Sequence, residues 1–173
     1  IPTVLIFNNG EKETKQWIRG LKNNFFREPS GNDRSQILAV ATGEAKLAIA
    51  NTYYYALMLS GKKGKSQQDA AKKVKPIFPN QQNRGTHINI SGFAMTKNAP
   101  NKENAMKLLE YLTGIEAQNT YVNNSYEYPA NPMVKPSNLV QSWGSFKRDN
   151  LDLNALGTYR EDAIKIFDKT GWK

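Results

Sequence analysis

Glu44-Ala45-Lys46-Leu47-Ala48-Ile49-Ala50-Asn51-Thr52-Tyr53-Tyr54-Tyr55 sets the order from which the architecture of this chain is read. The apolar run ending at Ala50 predicts a buried strand from Ala45 to Ala50, and the tyrosines after it predict a helix reaching about Ser60. Tyrosine oxygens therefore fall where a strand gives way to a helix, a place where open α/β folds bind ligands. Neighbouring side chains on a strand point to opposite faces, and those on a helix diverge by about 100°. Two adjacent tyrosines converge on one ligand most easily at such a junction.

A pair of phenols there points to a hard metal ion. Phenol has a pKa near ~10, but a bound trivalent cation holds it as phenolate, and the unbonded N–H groups of a helix start favour a nearby anion. Oxygen donors of this kind suit Fe(III) better than copper or zinc, which take sulfur or imidazole. A second reading makes the same aromatics ordinary core packing beside a strand. Tyr55 fits that second reading, because on a helix it points about 200° away from Tyr53, towards the interior.

Outward from this stretch, the pattern Trp17, Ile18, Leu21, Phe25, Phe26 has helical spacing from Glu11 and is stopped by Pro29-Ser30-Gly31. Asp33 and Gln36 form a capping-box pair ahead of Ile37-Leu38-Ala39-Val40, so a second helix is expected to about Gly43. The order helix, strand, helix belongs to an α/β sheet. Further on, Ser66 to Val74 reads as a short helix, Lys75 to Phe78 as a short strand, and His87 to Met95 as a strand interrupted by Gly92. Pro100 and Asn101 open a helix whose stripe of Ala105, Met106, Leu108, Leu109 and Leu112 is expected to be buried, with Gly114 closing it. A short helix from Ile115 to about Asn123 follows. Tyr126-Glu127-Tyr128-Pro129-Ala130-Asn131-Pro132 is expected to be an extended connector. A last helix from Thr158, with Glu161 as its box partner, buries Ala163, Ile166 and Phe167 and ends at Gly171.

The 173 residues, 39% of them hydrophobic and 10% aromatic, suffice for one substantial core or for one lobe plus part of another. No apolar run approaches the ~18 residues that cross a bilayer. With no cysteine, disulfides and thiolate metal sites are excluded. That composition suits an oxidising compartment, though cytosolic proteins share it. The formal charge of +9 admits a basic nucleic-acid-binding domain as a rival from another class. Its densest part, Lys62, Lys63, Lys65, Lys72, Lys73 and Lys75 around Asp69, is broken by Gly61 and Gly64 and has no interleaved aromatic. It reads as a solvated face, and no nucleic acid is expected. Ile1-Pro2-Thr3-Val4-Leu5-Ile6-Phe7 enters an apolar element at once, without Met or a basic n-region, which reads as the C-terminal part of a longer protein.

Several stretches together resemble one family, the ferric-ion-binding solute-binding proteins of bacterial ABC transporters. They are Asn8-Asn9-Gly10-Glu11 with Trp17, Gly43-Glu44, Asn51-Thr52-Tyr53-Tyr54, Gly85-Thr86-His87-Ile88-Asn89-Ile90-Ser91-Gly92, Leu108-Leu109-Glu110-Tyr111-Leu112, and Glu127-Tyr128-Pro129-Ala130-Asn131-Pro132. The match covers nearly the whole chain, and the tyrosine pair is its most specific element. The resemblance implies a periplasmic-binding-protein-like α/β fold of two lobes, class II type, joined by crossing strands. Fe(III) is held in the cleft and enclosed by hinge closure.

It further implies that Tyr53 and Tyr54 supply two phenolates, and that other ligands come from upstream or from a synergistic anion. Residues 1–84 with 135–173 would form the C-terminal lobe, and 85–134 a crossing strand and segment of the N-terminal lobe. The partners implied are ferric ion and an inner-membrane ABC permease, and the compartment is periplasmic. An anion or small-organic-ligand receptor on the same scaffold is the alternative. A chain without the remaining lobe is expected to self-associate through uncovered apolar faces and to hold iron weakly or not at all.

His87, the single histidine, matches a crossing strand in that family and reads first as a structural residue, second as a ligand. Asn32 and Asp33 lie near where some relatives contact the anion, and Asp33 as a helix cap explains the same residue. No Cys-His or Ser-His constellation, Gly-rich phosphate loop, His cluster or paired carboxylates point to an enzyme.

Overall fold

Pro2 opens the first helix, since its missing N–H is one of those that a helix start leaves unbonded anyway. The computed structural model describes Ile1–Trp172, and this helix, α1 (Pro2–Asn23), is broken at Gly10, where φ 79° and ψ 168° leave helical space. Glycine tolerates that excursion because it has no Cβ. Beyond the break Thr14 and Ile18, one turn apart, are buried, while Trp17 and Phe26 are exposed.

The chain forms two compact units. The first comprises Ile1–Pro29, Phe78–Ile88 and the segment from Phe146 onward. In it α1 packs against α8 (Asn154–Thr158) and α9 (Arg160–Thr170). Ile6, Ile18, Ala163 and Ile166 form its core, with Tyr159, Phe167 and Trp172 against them. Thr86 and Arg148 make a parallel bridge: the Thr86 amide donates to Lys147 O at 2.8 Å, and the Asp149 amide to Thr86 O at 2.9 Å. Gln81 reinforces it by accepting from the Lys147 amide at 2.8 Å and donating to Thr86 Oγ1 at 2.9 Å.

The second unit comprises Ser30–Ile77 and Asn89–Ser145. Here α2 (Asp33–Ala41), α3 (Thr52–Leu59) and α4 (Lys65–Ala71) pack together over Ile37, Tyr55, Met58 and Ala71. A neighbouring cluster of Ala56, Tyr126 and Val140 joins α3 to the connector and to α7 (Asn138–Gln141). α5 (Lys102–Thr113) packs against α6 (Ile115–Asn124). The grouping of 1–84 with 135–173 expected above concerns the lobes of a whole receptor rather than packing within this chain.

Most helices form near the segments expected, although α1 begins at Pro2 rather than at Glu11 and α7 and α8 lie where none is predicted; three further expectations are overturned. The first is the strands. Among the described residues no strand ladder forms at 45–50, 75–78 or 87–95, and the run at 45–50 is not buried: Leu47 is 75% and Ile49 58% exposed. A strand is stable only when a neighbouring backbone takes up its N–H and C=O groups, and these segments meet none here. The second is the stripe of α5, where Met106 is 45% and Leu108 55% exposed and no residue is fully buried. Its spacing is amphipathic, but the cover is partial: Ala105, Leu109 and Leu112 are half-buried while Met106 and Leu108 stay exposed.

The third is capping. Asn32, one residue before Asp33, caps α2 in a box with Ser35, because its side chain reaches the Arg34 and Ser35 amides. Before α9 no box forms; Thr158 ends α8 and donates to Asn154 O at 3.1 Å, leaving Tyr159 as the N-cap. Gly171 does end α9, at φ 66° in the left-handed region.

Gly85 has φ +100°, and a Cβ there would stand 2.6 Å from the Arg148 carbonyl. Gly85→Ala should therefore lower stability by more than about 1–3 kcal/mol through backbone strain and clash. Gly20→Ala, in the helical interior of α1 with nothing within 4 Å of the added methyl, should raise it by about 0.5–1 kcal/mol. Urea denaturation of both variants reads the two signs.

Candidate metal centre

The centre is built where α2 hands over to α3. Because Asn32 caps α2, the carboxylate of Asp33 is free to turn to the next helix. Its Oδ1 accepts from the Asn51 amide at 2.6 Å and from Asn51 Nδ2 at 3.0 Å. Asn51, in extended backbone at φ −75° and ψ 137°, is the N-cap of α3 and makes no side-chain bond to its own helix. Its Oδ1 instead accepts from Asn89 Nδ2 at 3.2 Å. The tyrosines follow in the first turn.

Tyr53 and Tyr54 are partly buried, their ring centroids 4.5 Å apart and their planes inclined by 46°. Tyr55 faces the other way, as the helical angle requires. It is buried, stacks obliquely on Trp143 at 5.4 Å, and donates from its hydroxyl to Val74 O at 2.8 Å. Tyr53 and Tyr54 thus share one side of the helix start, and Tyr55 belongs to the core.

Burial pushes the Tyr53 phenol above its ordinary pKa; its side-chain hydrogen bond with Tyr54 and the charges of Tyr54, Asp33 and Glu127 raise it further. Each of these effects penalises a bare phenolate. The same acidic charges that disfavour a phenolate would attract a cation placed beside these oxygens. Glu127 itself is held by Ser91, whose Oγ donates to Oε1 at 3.1 Å. Glu127 stands in the connector singled out by its prolines, but nothing in the spacing along the chain brings it near residue 53. The tie from Asp33 to Asn51, 18 residues away, is equally invisible in sequence.

The other candidates lie elsewhere. His87 sits in the first unit; burial first, then the positive charge at Ile1 N and to a lesser degree the Arg84 cation, hold its pKa below the usual imidazole value, while Asp149 opposes them. Arg84 pairs with the buried Asp149 at 3.5 Å. Among the described residues no group of three or more His, Asp or Glu side chains could hold a metal. The lysine run is a solvated face, as read: Asp69 pairs with Lys65 at 2.8 Å and reaches Lys72 at 4.0 Å, all exposed. Lys62 lies over the Tyr126 ring at 4.9 Å.

Residues 3–148 match the family model described as bacterial extracellular solute-binding protein, and the chain belongs to that family. Its members are binding proteins, not enzymes. The chain is 44% identical over 169 residues to iron uptake protein A1 of Synechocystis, a match covering 98% of this chain and 47% of that protein. Among solved structures it superposes with TM-score 0.94 on the ferric binding protein from Campylobacter jejuni, at 38% identity, covering 99% of this chain and 54% of that one. The same TM-score of 0.94, at 43% identity and the same coverages of 99% and 54%, relates it to a Trichodesmium protein, IdiA or FutA, in complex with iron and citrate ligands. The chain spans about half the length of the relatives it matches. The fold class expected from the sequence, periplasmic-binding-protein-like α/β, is the one it shares with them.

Tyr55→Phe removes a buried donor and leaves Val74 O unpaired, so it should lower stability by about 1 kcal/mol. A shift of the urea midpoint at unchanged slope reads this, and an unshifted midpoint contradicts it.

Proposed function

We propose that this chain is part of the ferric-iron receptor of an ABC importer acting outside the cytoplasmic membrane, and that Tyr53 and Tyr54 supply two of the oxygens that hold Fe(III). The observation that carries this reading is the convergence of two adjacent phenols at the start of α3, rings 4.5 Å apart, beside the carboxylates of Asp33 and Glu127. The similarity to an iron uptake protein and to ferric-binding proteins supports it. On binding, each phenol gives up its proton to solvent and becomes a hard anionic donor. Two monodentate phenolates leave most of the coordination sphere of iron open. Its other positions fall to groups of the whole receptor outside this chain, or to an anion such as the citrate seen with iron in the Trichodesmium protein. Delivery is to an inner-membrane permease.

In the whole receptor, residues 1–84 and 135–173 belong to one lobe, and 85–134 reaches to the other. The exposed apolar side of α5 supports this division, since Met106 and Leu108 need a covering surface. The same exposure, with that of Leu47, Ile49, Ile90 and Phe93, implies that this chain alone associates with itself. Light scattering on the isolated chain should give a molar mass above that of one copy. A monodisperse monomer contradicts the self-association.

In a receptor of the relatives' length that contains this chain, Tyr53→Phe and Tyr54→Phe should each weaken Fe(III) binding by orders of magnitude in chelator competition. Each should also diminish the visible phenolate-to-iron charge-transfer band while leaving thermal stability little changed. Tyr55→Phe should leave the band intact. Equal losses at all three positions, or a receptor that binds citrate but develops no band with Fe(III), would overturn the assignment and favour an organic-anion receptor.

A further inference from the structure

We propose that Asp33 is the positioning residue of the tyrosine pair: by clamping Asn51 it sets where Tyr53 and Tyr54 present their oxygens. The inference rests on the reading of that pair as iron ligands. α3 has eight residues, too few to hold its first turn by backbone hydrogen bonding alone. The usual remedy, a side chain of the N-cap turned back onto the helix, is absent, because Asn51 points its amide group away from α3.

One carboxylate oxygen of Asp33 instead holds Asn51 twice, at 2.6 Å through the backbone amide and at 3.0 Å through Nδ2. Two hydrogen bonds from one residue to the same oxygen, one through the backbone and one through the side chain, fix the orientation of Asn51 as well as its position. Asn89 holds the remaining polar atom of the Asn51 side chain at 3.2 Å.

Asp33 is itself immobilised. It is the first residue of α2, directly after the N-cap Asn32 and inside the Asn32–Ser35 capping box. The cap of α2 is thus provided by Asn32, which leaves Asp33 no capping task of its own. The clamp runs from one helix start to the next, and Tyr53 and Tyr54 stand two and three residues beyond its end. Groups that orient metal ligands in this way typically change affinity 10- to 100-fold when removed.

The test uses the full-length receptor with Asp33→Ala and Asp33→Asn, beside the Tyr53→Phe and Tyr54→Phe variants. Asp33→Ala should weaken Fe(III) binding about 10- to 100-fold, displace the charge-transfer maximum, and speed hydrogen exchange of the Asn51 amide in the iron-free protein. Asp33→Asn keeps the Oδ1 acceptor and should recover most of the affinity, the band position and the protection. Wild-type affinity and band in Asp33→Ala overturn the positioning role, as does an Asp33→Asn variant as weak as Asp33→Ala, which would assign the effect to charge. If the tyrosine variants leave the band unchanged, the iron reading fails. Accelerated exchange at Asn51 in Asp33→Ala would then still support the clamp.

Discussion

The second unit depends on how a helix too short to stand alone is held in place. α3 is fixed on its buried side by Tyr55, Ala56 and Met58, which enter two clusters shared with α2, α4, α7 and the connector before Pro129. Its start is fixed by the two hydrogen bonds from Asn51 to Asp33. The apolar side contributes most of the energy, since burying a side chain the size of Met58 is worth about 1.5–3 kcal/mol. Hydrophobic burial is not directional, however, and leaves the rotation and tilt of the first turn poorly defined. The carboxylate supplies that direction. The division of labour explains why three consecutive tyrosines have two fates, the third locked into the core and the first two left partly buried side by side, with Tyr54 against the edge of the core cluster.

Electrostatics at the centre run against those of the whole chain. A formal charge of +9 repels a trivalent cation at long range, but at physiological ionic strength charges separated by more than about 8 Å are largely screened. The lysines of α4 and its flanks are exposed and partly neutralised by Asp69. The charges of Asp33 and Glu127, by contrast, act directly on the partly buried Tyr53 phenol. The charges that act on Tyr53 are therefore acidic, opposite in sign to that of the chain as a whole.

Most helices of this chain are legible in its sequence because their determinants are local: Gly114 and Gly171 as punctuation, and the spacing of Ile18, Ala163 and Ile166. The tyrosine helix and the inward turn of Tyr55 follow from the helical angle alone. Strands were not legible in the same way. The runs at 45–50 and 87–95 have strand composition, but ladder formation is a property of two segments, and Leu47 and Ile49 stay exposed where no second backbone meets them. The stripe of α5 failed for the same reason, since amphipathic spacing predicts a buried face only where something lies opposite. At the centre, adjacency made Tyr53 and Tyr54 visible. Asn32 and Asp33 are both competent caps by residue type, and only folding shows that the first does the capping and the second reaches Asn51.

The central claim, that iron is held by the oxygens of Tyr53 and Tyr54, is tested most directly by resonance Raman spectroscopy of the iron-loaded full-length receptor, with excitation in its visible band. The account predicts enhanced ring modes of iron-bound tyrosinate that weaken when either Tyr53 or Tyr54 is replaced by Phe. A loaded receptor whose spectrum shows no tyrosinate modes, or shows them undiminished in both variants, would contradict it.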